Sequence, residues 1–254
     1  FSIKNVGLIK KSKKTNQDSL AIRIIKMNEE QIAFAVVCDG MGGLAKGELA
    51  SKAVTVAFMD WFEKIFLPIA ERGEFEEVEL VNQWNEIIQS QNQRLGAYGE
   101  ENNLKLGTTV STLLLYKGFY YIAHVGDSRV YQLSNEVEQM THDQTFIARE
   151  IAAGRMTLEQ AKTDPRRSVL LQCVGASPVV QPEFLKGQIL PDVVYMLCSD
   201  GFRHQISEEE ILEKIGPANA RDPEKMKYGC MYLTELVKAR KENDNISVAL
   251  IRTI

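Results

Sequence analysis

Three apolar runs, residues 108–116, 119–125 and 129–134, follow one another with gaps of only a few residues. Parallel neighbours in a sheet need a crossover of a dozen residues or more, so this spacing predicts antiparallel hairpins. Runs at 19–25 and 31–38, joined by the polar turn 26–30, repeat the pattern. Two further strands are expected at 193–198 and 246–251. Helical spacing of apolar residues predicts a helix over 44–66, carried by Leu49, Ala53, Val56, Ala57, Trp61 and Ile65, with Pro68 just past its end. Other helices are expected over 78–102, 145–161, 207–215 and 222–241, with 164–175 irregular. The helix at 207 opens with Ser207 and has Glu210 three residues on, a capping-box spacing. Amphipathic helices need sheet faces to cover, so the expected class is a layered α+β fold. With no repeat, low-complexity tract or linker, residues 1–254 read as one domain.

Composition narrows the function classes. The chain has 254 residues, 44% hydrophobic and 25% charged, with a net charge of −4. That balance argues against a broad nucleic-acid surface, which needs clustered basic charge. No apolar run approaches the roughly 18–20 residues of a membrane span. The start, Phe1-Ser2-Ile3-Lys4, has no initiator Met and no signal-peptide pattern, and reads as a processed or trimmed form. Cys38, Cys173, Cys198 and Cys230 show no CxxC spacing and read as buried reduced thiols. The expected protein is a cytoplasmic monomer.

Carboxylates recur at the mouths of apolar strands. Residues 32–38 run into Asp39-Gly40, residues 121–126 into Asp127, and residues 193–199 into Asp200-Gly201. Asp244 sits just before the run 246–251. A single Asp-Gly after a strand is usually a turn. Four carboxylates converging at one sheet edge would repel one another unless a cation stood between them. Oxygen-only donors select hard ions such as Mg²⁺ or Mn²⁺.

Rival motifs fail on inspection. Gly40-Met41-Gly42-Gly43-Leu44-Ala45 matches GxGxxA, but Asp60 falls inside a helix and Asp39 would oppose a pyrophosphate. A P-loop reading from Gly42 to Gly47 puts Glu48 where Lys is required. No Cys has Arg six positions later, and the three histidines form no HExxH. Ser128 and Ser199 have no nucleophile-elbow context.

Six short motifs then occur in order: Asn16-Gln17-Asp18, Asp39-Gly40-Met41-Gly42-Gly43, Gly107-Thr108-Thr109, His124-Val125-Gly126-Asp127-Ser128-Arg129, Leu197-Cys198-Ser199-Asp200-Gly201 and Asp244-Asn245-Ile246-Ser247. Together they resemble the metal-dependent protein phosphatases of the protein phosphatase 2C family, bacterial type. The resemblance implies a four-layer α-β-β-α sandwich of two antiparallel sheets flanked by helices. It implies metal-dependent hydrolysis of phosphoserine and phosphothreonine on proteins, by water activated between two Mn²⁺ or Mg²⁺ ions, with a third ion in some members. Asp39 would bridge the two ions, the Gly40 carbonyl would ligate the first, and Asp200 and Asp244 the second. Asp18 would act through water, and Asp127 with Asp200 at a third site. Thr108 and Thr109 would support the site. Implied partners are phosphorylated proteins, including a Ser/Thr kinase and its substrates. The alternative is a phosphatase fold that has become a weakly catalytic binding or sensing module, although no metal aspartate is substituted.

Two departures stand out. Many relatives carry Arg where Lys13 stands, next to Lys14; lysine supplies charge but not a bidentate fork. Some relatives have a proton-donating His where Met41 stands; the resemblance then leaves protonation of the leaving group to metal-bound water, with His142 as an alternative that reads more readily as a structural or solvated turn histidine. Residues 145–175 fall where the family has a flap, and Arg149, Arg155, Arg166 and Arg167 there could meet acidic or phosphorylated substrate.

Overall fold

A computed structural model describes residues 3–4, 8–11, 15–27, 29–41 and 46–254. The first half of the chain contains β1 (Ile3–Lys4), β2 (Leu8–Lys11), β3 (Asp18–Met27), β4 (Glu30–Asp39), α1 (Gly47–Trp61), a π-helical turn (Phe62–Phe66), α2 (Leu67–Arg72), α3 (Glu77–Glu101), β5 (Val110–Tyr116) and β6 (Phe119–Val125). The second half contains β7 (Arg129–Leu133), β8 (Val137–Gln139), α4 (Phe146–Ala152), α5 (Leu158–Thr163), β9 (Glu183–Gln188), β10 (Val194–Cys198), α6 (Asp200–Arg203), α7 (Glu208–Ile215), α8 (Pro223–Ala239) and β11 (Ile246–Thr253).

The strands form two antiparallel sheets. One has the order β3-β4-β5-β6-β9. The other runs β1-β11-β10-β7-β8, with β2 also paired to β11. Side-chain parity along β4 shows how the layers stack. Ile32, Phe34, Val36 and Cys38 point to a core shared with Val54, Phe58, Trp84 and Ile88 of α1 and α3. Ala33, Ala35 and Val37 point the other way, to Tyr195, Leu197, Ala249 and Ile251 of the facing sheet. On that sheet's outer side Val194, Met196, Val248 and Leu250 pack under Ile211, Met226 and Leu233 of α7 and α8. Burial on both faces explains why β4 and β10 read as continuous apolar runs. The result is the expected α-β-β-α sandwich.

Three local expectations are corrected. The runs at 119–125 and 129–134 do not form a hairpin: β6 pairs β5 and β9, whereas β7 pairs β10 and β8 in the other sheet. A short gap excludes parallel neighbours within one sheet but permits a step between stacked sheets. Gly126, at φ 107°, turns that corner, where a Cβ would stand 2.6 Å from Thr109 Cγ2.

The first helix does not stop before Pro68. It continues through the π-helical turn into α2, which accepts Pro68 in its first turn and ends at Gly73 with φ 72°. Its buried face is Ala50, Val54, Phe58 and Trp61, while Leu49, Val56 and Ile65 are exposed. Two apolar stripes ran along this segment, and the aromatic one won because Phe34 stacks on Phe62 at 5.0 Å and meets Trp61 edge-on at 5.7 Å.

Finally, 145–161 is two short helices. α4 gives way at Gly154 (φ 68°), and α5 starts afresh with a Thr157–Gln160 capping box. The Ser207–Glu210 capping box expected at α7 is present. Phe34→Ala is expected to cost about 3–5 kcal/mol in urea unfolding. Leu49→Gln is expected to stay within about 0.5 kcal/mol, and a larger loss there would reverse the assignment of the buried face.

Candidate metal centre

Antiparallel pairing brings strand ends and strand starts to one edge. Asp39, the last residue of β4, lies directly opposite Asp18, the first of β3. The Asp39 backbone is clamped: its N–H donates to Thr109 Oγ1 (2.9 Å), and its carbonyl accepts from Thr109 N (2.9 Å) and Thr108 Oγ1 (3.0 Å). Thr109 Oγ1 lies 2.7 Å from Ser128 Oγ, which ties this corner to the entry of β7. Gly40 fits because a Cβ there would lie 2.3 Å from the Gly47 carbonyl oxygen and 2.5 Å from that of Gln17. Met41 lies against Gly107, where a Cβ would come within 2.2 Å of the Met41 methyl.

The facing sheet supplies the other acids. Asp200 opens α6 immediately after β10, and Asp244 precedes β11. The two loops touch, since a Cβ on Gly201 would fall 2.3 Å from the Asn245 carbonyl oxygen and 3.1 Å from Asp244 Cβ. Ser199 and Ser247 lace them together: Ser199 N–H donates to the Ser247 carbonyl and Ser247 N–H to Ser199 Oγ, both at 3.0 Å. Ser247 Oγ donates across the sheets to Asp18 Oδ2 at 2.6 Å, and Gln17 N–H donates to Asn245 Oδ1 at 2.9 Å.

The electrostatics follow from this crowding. Burial, and then repulsion from Asp18, Asp200, Asp127 and Asp244, pushes the Asp39 carboxyl well above its ordinary range. Burial raises Asp18 to about 6 against the pull of its serine hydrogen bonds, with Asp200 and Asp244 adding to the rise. Burial and Asp200 raise Asp127 to about 7, against the opposing charge of Arg203. Asp18 Oδ1 and Asp200 Oδ1 are buried without a hydrogen-bond partner. Among the described residues no group of three His, Cys, Asp or Glu side chains is assembled to hold one ion. Orphaned buried oxygens in an all-oxygen donor set fit a hard divalent cation.

Sequence reasoning missed a neighbouring network. Arg129 donates to both oxygens of Asp143 (2.7 and 2.6 Å), and Arg203 lies 3.6 Å from Asp143 and 3.9 Å from Asp127. Burial raises Asp143, but Arg129 and Arg203 outweigh it and hold the carboxyl below its usual range. His204 stands between Asp200 (3.8 Å) and Glu242 (3.6 Å), and Glu242 accepts the Asp244 N–H at 2.9 Å. The spacing of Asp200 and His204 on one helical turn was the available signal. His142, the candidate proton donor, is paired with Glu183 at 2.5 Å. Lys13 and Lys14 lie outside the described residues, as do Gly42 and Gly43.

A carboxyl titrating above its unfolded value of about 3.9 keeps its proton in the fold while the unfolded chain has lost it. Stability from that group therefore falls as pH rises above about 4, and keeps falling until the folded group ionises. In EDTA, Asp39→Asn is expected to melt about 4 °C or more above the parent at pH 7.5, and to show no such gain near pH 4. Equal melting temperatures at pH 7.5 would contradict the crowding.

Comparisons with known proteins place this geometry. The family model described as protein phosphatase 2C matches residues 10–227. The serine/threonine phosphatase stp of Listeria innocua is 30% identical over 191 residues, 73% of this chain and 73% of that protein. The crystal structure of the serine/threonine phosphatase Stp1 from Staphylococcus aureus aligns with a TM-score of 0.83 at 26% identity, covering 99% of this chain and 95% of that one. The catalytic domain of the serine/threonine protein phosphatase PstP, in complex with two manganese ions, aligns with a TM-score of 0.77 at 24% identity, covering 99% of each chain. At that identity the last likeness is one of fold.

Proposed function

The chain belongs to the protein phosphatase 2C family, and from that premise we propose that its aspartate edge hydrolyses phosphoserine and phosphothreonine on proteins with two divalent ions, Mn²⁺ or Mg²⁺. The observation that carries the reading is the Asp18–Asp39 cross-strand pair facing Asp200 and Asp244, with two buried carboxylate oxygens left orphaned. Asp39, the Gly40 carbonyl, Asp200 and Asp244 would hold the ions, with Asp18 contributing through water and Asp127 available to a third. When bound, such ions supply Lewis-acid charge that acidifies water and offsets the charge of a phosphoryl group.

The chain's own residues position and insulate this edge. Thr108 and Thr109 fix the backbone of Asp39, so its carboxylate is aimed before any ligand arrives. Ser247 holds one oxygen of Asp18, and the other is buried without a hydrogen-bond partner. Lys13 supplies the cation that grips the phosphate dianion. Residues 145–175 act as a flap on one catalytic domain spanning 1–254, and Arg149, Arg155, Arg166 and Arg167 give it a basic character suited to phosphorylated substrates. Arg155 and Arg166 are partly committed to Glu150 and Asp164. The partners are phosphoproteins, among them a Ser/Thr kinase of the same cell and its substrates. A cytoplasmic location fits the four cysteines, all free and buried, and the proposed state is a monomer. Among the described residues no helix is long and apolar enough to cross a membrane.

Phosphate release from a phosphothreonine peptide is expected with Mn²⁺, to stop in EDTA, and to fall at least ~100-fold in Asp39→Asn or Asp200→Asn. Release that persists in EDTA or in either variant would refute the metal reading. Silence with both Mn²⁺ and Mg²⁺ would make the chain a binding module.

A further inference from the structure

A second site lies at the opposite end of the molecule. Between α2 and the start of α3 a cavity of about 110 Å³ opens to solvent. Trp61, Phe66 and Phe75 line it, with Glu74, Glu76 and Glu79 around it. The π-helical turn helps shape it by stacking Phe66 on Phe62 at 5.5 Å, beside Trp61 at 5.4 Å. We propose that this aromatic, acid-rimmed pocket takes the long cationic side chain of a basic segment on a partner protein.

The chemistry of the lining selects that occupant. Trp61 Nε1 is already committed to Gln83 Oε1 at 2.6 Å. Trp61 and Phe66 are buried, at 3% and 2% exposure, so the lining offers no free indole donor and its accessible ring is chiefly that of half-buried Phe75. Of the rim acids, Glu74 is paired with Arg72 at 2.6 Å. Among the described residues no cation is paired with Glu76 or Glu79, and both side chains are exposed. An ammonium or guanidinium entering the mouth meets two carboxylates with no counter-cation, one of them already accepting from Gln83 Nε2 at 3.0 Å, and its methylene stem lies against Phe75. The volume suits one side chain, not a helix or a strand.

The pocket is remote from the aspartates. Phe66 and Phe75 both pack on Tyr116, at 5.2 and 5.1 Å, at the far end of β5 from Thr109. Seven residue steps of strand separate them, roughly 23 Å at about 3.3 Å each. The proposal is therefore independent of the catalytic reading.

The two tryptophans of the chain, Trp61 and Trp84, have rings 5.5 Å apart beside the pocket, so intrinsic fluorescence reports occupancy. The full chain would be titrated with n-pentylammonium, with neutral 1-pentanol of the same length, and with a capped peptide of alternating alanine and lysine. Saturable emission changes are expected for the ammonium and the peptide, with the ammonium about fivefold tighter than the alcohol. Glu76→Gln/Glu79→Gln, at two exposed positions, is expected to erase that preference without changing the melting temperature. Glu76→Lys is expected to abolish peptide binding outright. Equal binding of the alcohol, no response to ammonium and peptide, or an unchanged preference in the double glutamine variant would each overturn the proposal.

Discussion

The approach of the two sheets governs everything else in this molecule. Small side chains at the centre of the interface, Ala33, Ala35 and Ala249, let the sheets close around Leu197, Tyr195 and Ile251. That closeness lets Ser247 on one sheet donate to Asp18 on the other at 2.6 Å, and Gln17 donate to Asn245. Close packing of this kind transmits small displacements, because interiors are as dense as organic crystals. A bulkier residue at Ala35 would therefore be felt at the aspartate edge as well as in the core.

At that edge the fold accumulates charge that it does not neutralise. Burial and mutual repulsion raise Asp18, Asp39 and Asp127 together. The surrounding hydrogen bonds hold backbones and single oxygens but leave other oxygens orphaned. A fold that keeps such an arrangement sacrifices apo stability for an edge already organised for cations. Around Asp143 the opposite solution is used: Arg129 and Arg203 compensate a buried carboxylate directly. The two regions meet at Arg203, which reaches the Asp127 carbonyl at 3.2 Å. Asp127 thus joins a cation-poor cluster to a cation-rich one.

The helical layer separates two tasks along one element. The start of α1 packs at the aspartate edge, with Gly47 against Gly40. Its far end contributes Trp61 to the acid-rimmed pocket. Between them Val54 and Phe58 cover β4. In the π-helical turn that follows, Phe62 and Phe66 stack on one another at 5.5 Å.

Sequence alone determined what depends on local period and on the identity of terminal residues. Alternation and unbroken apolar runs marked β4, β6, β10 and β11, and the acids at their ends marked the edge proposed as the site. Capping residues located α7. Six ordered motifs named the family, because each lies where a strand begins or ends beside a turn. What sequence left open concerns partners distant along the chain. Whether residues 126–128 close a hairpin or step between sheets depends on which strand lies beside β7. Which of two apolar stripes on α1 is buried depends on where Phe34 and Trp84 stand. The roles of Ser247, Arg203 and Glu242 become visible only when β11 and α6 meet the β3–β4 edge. Periodicity reports which face of an element is apolar, but only packing of the whole chain decides what that face, and each charged strand end, will meet.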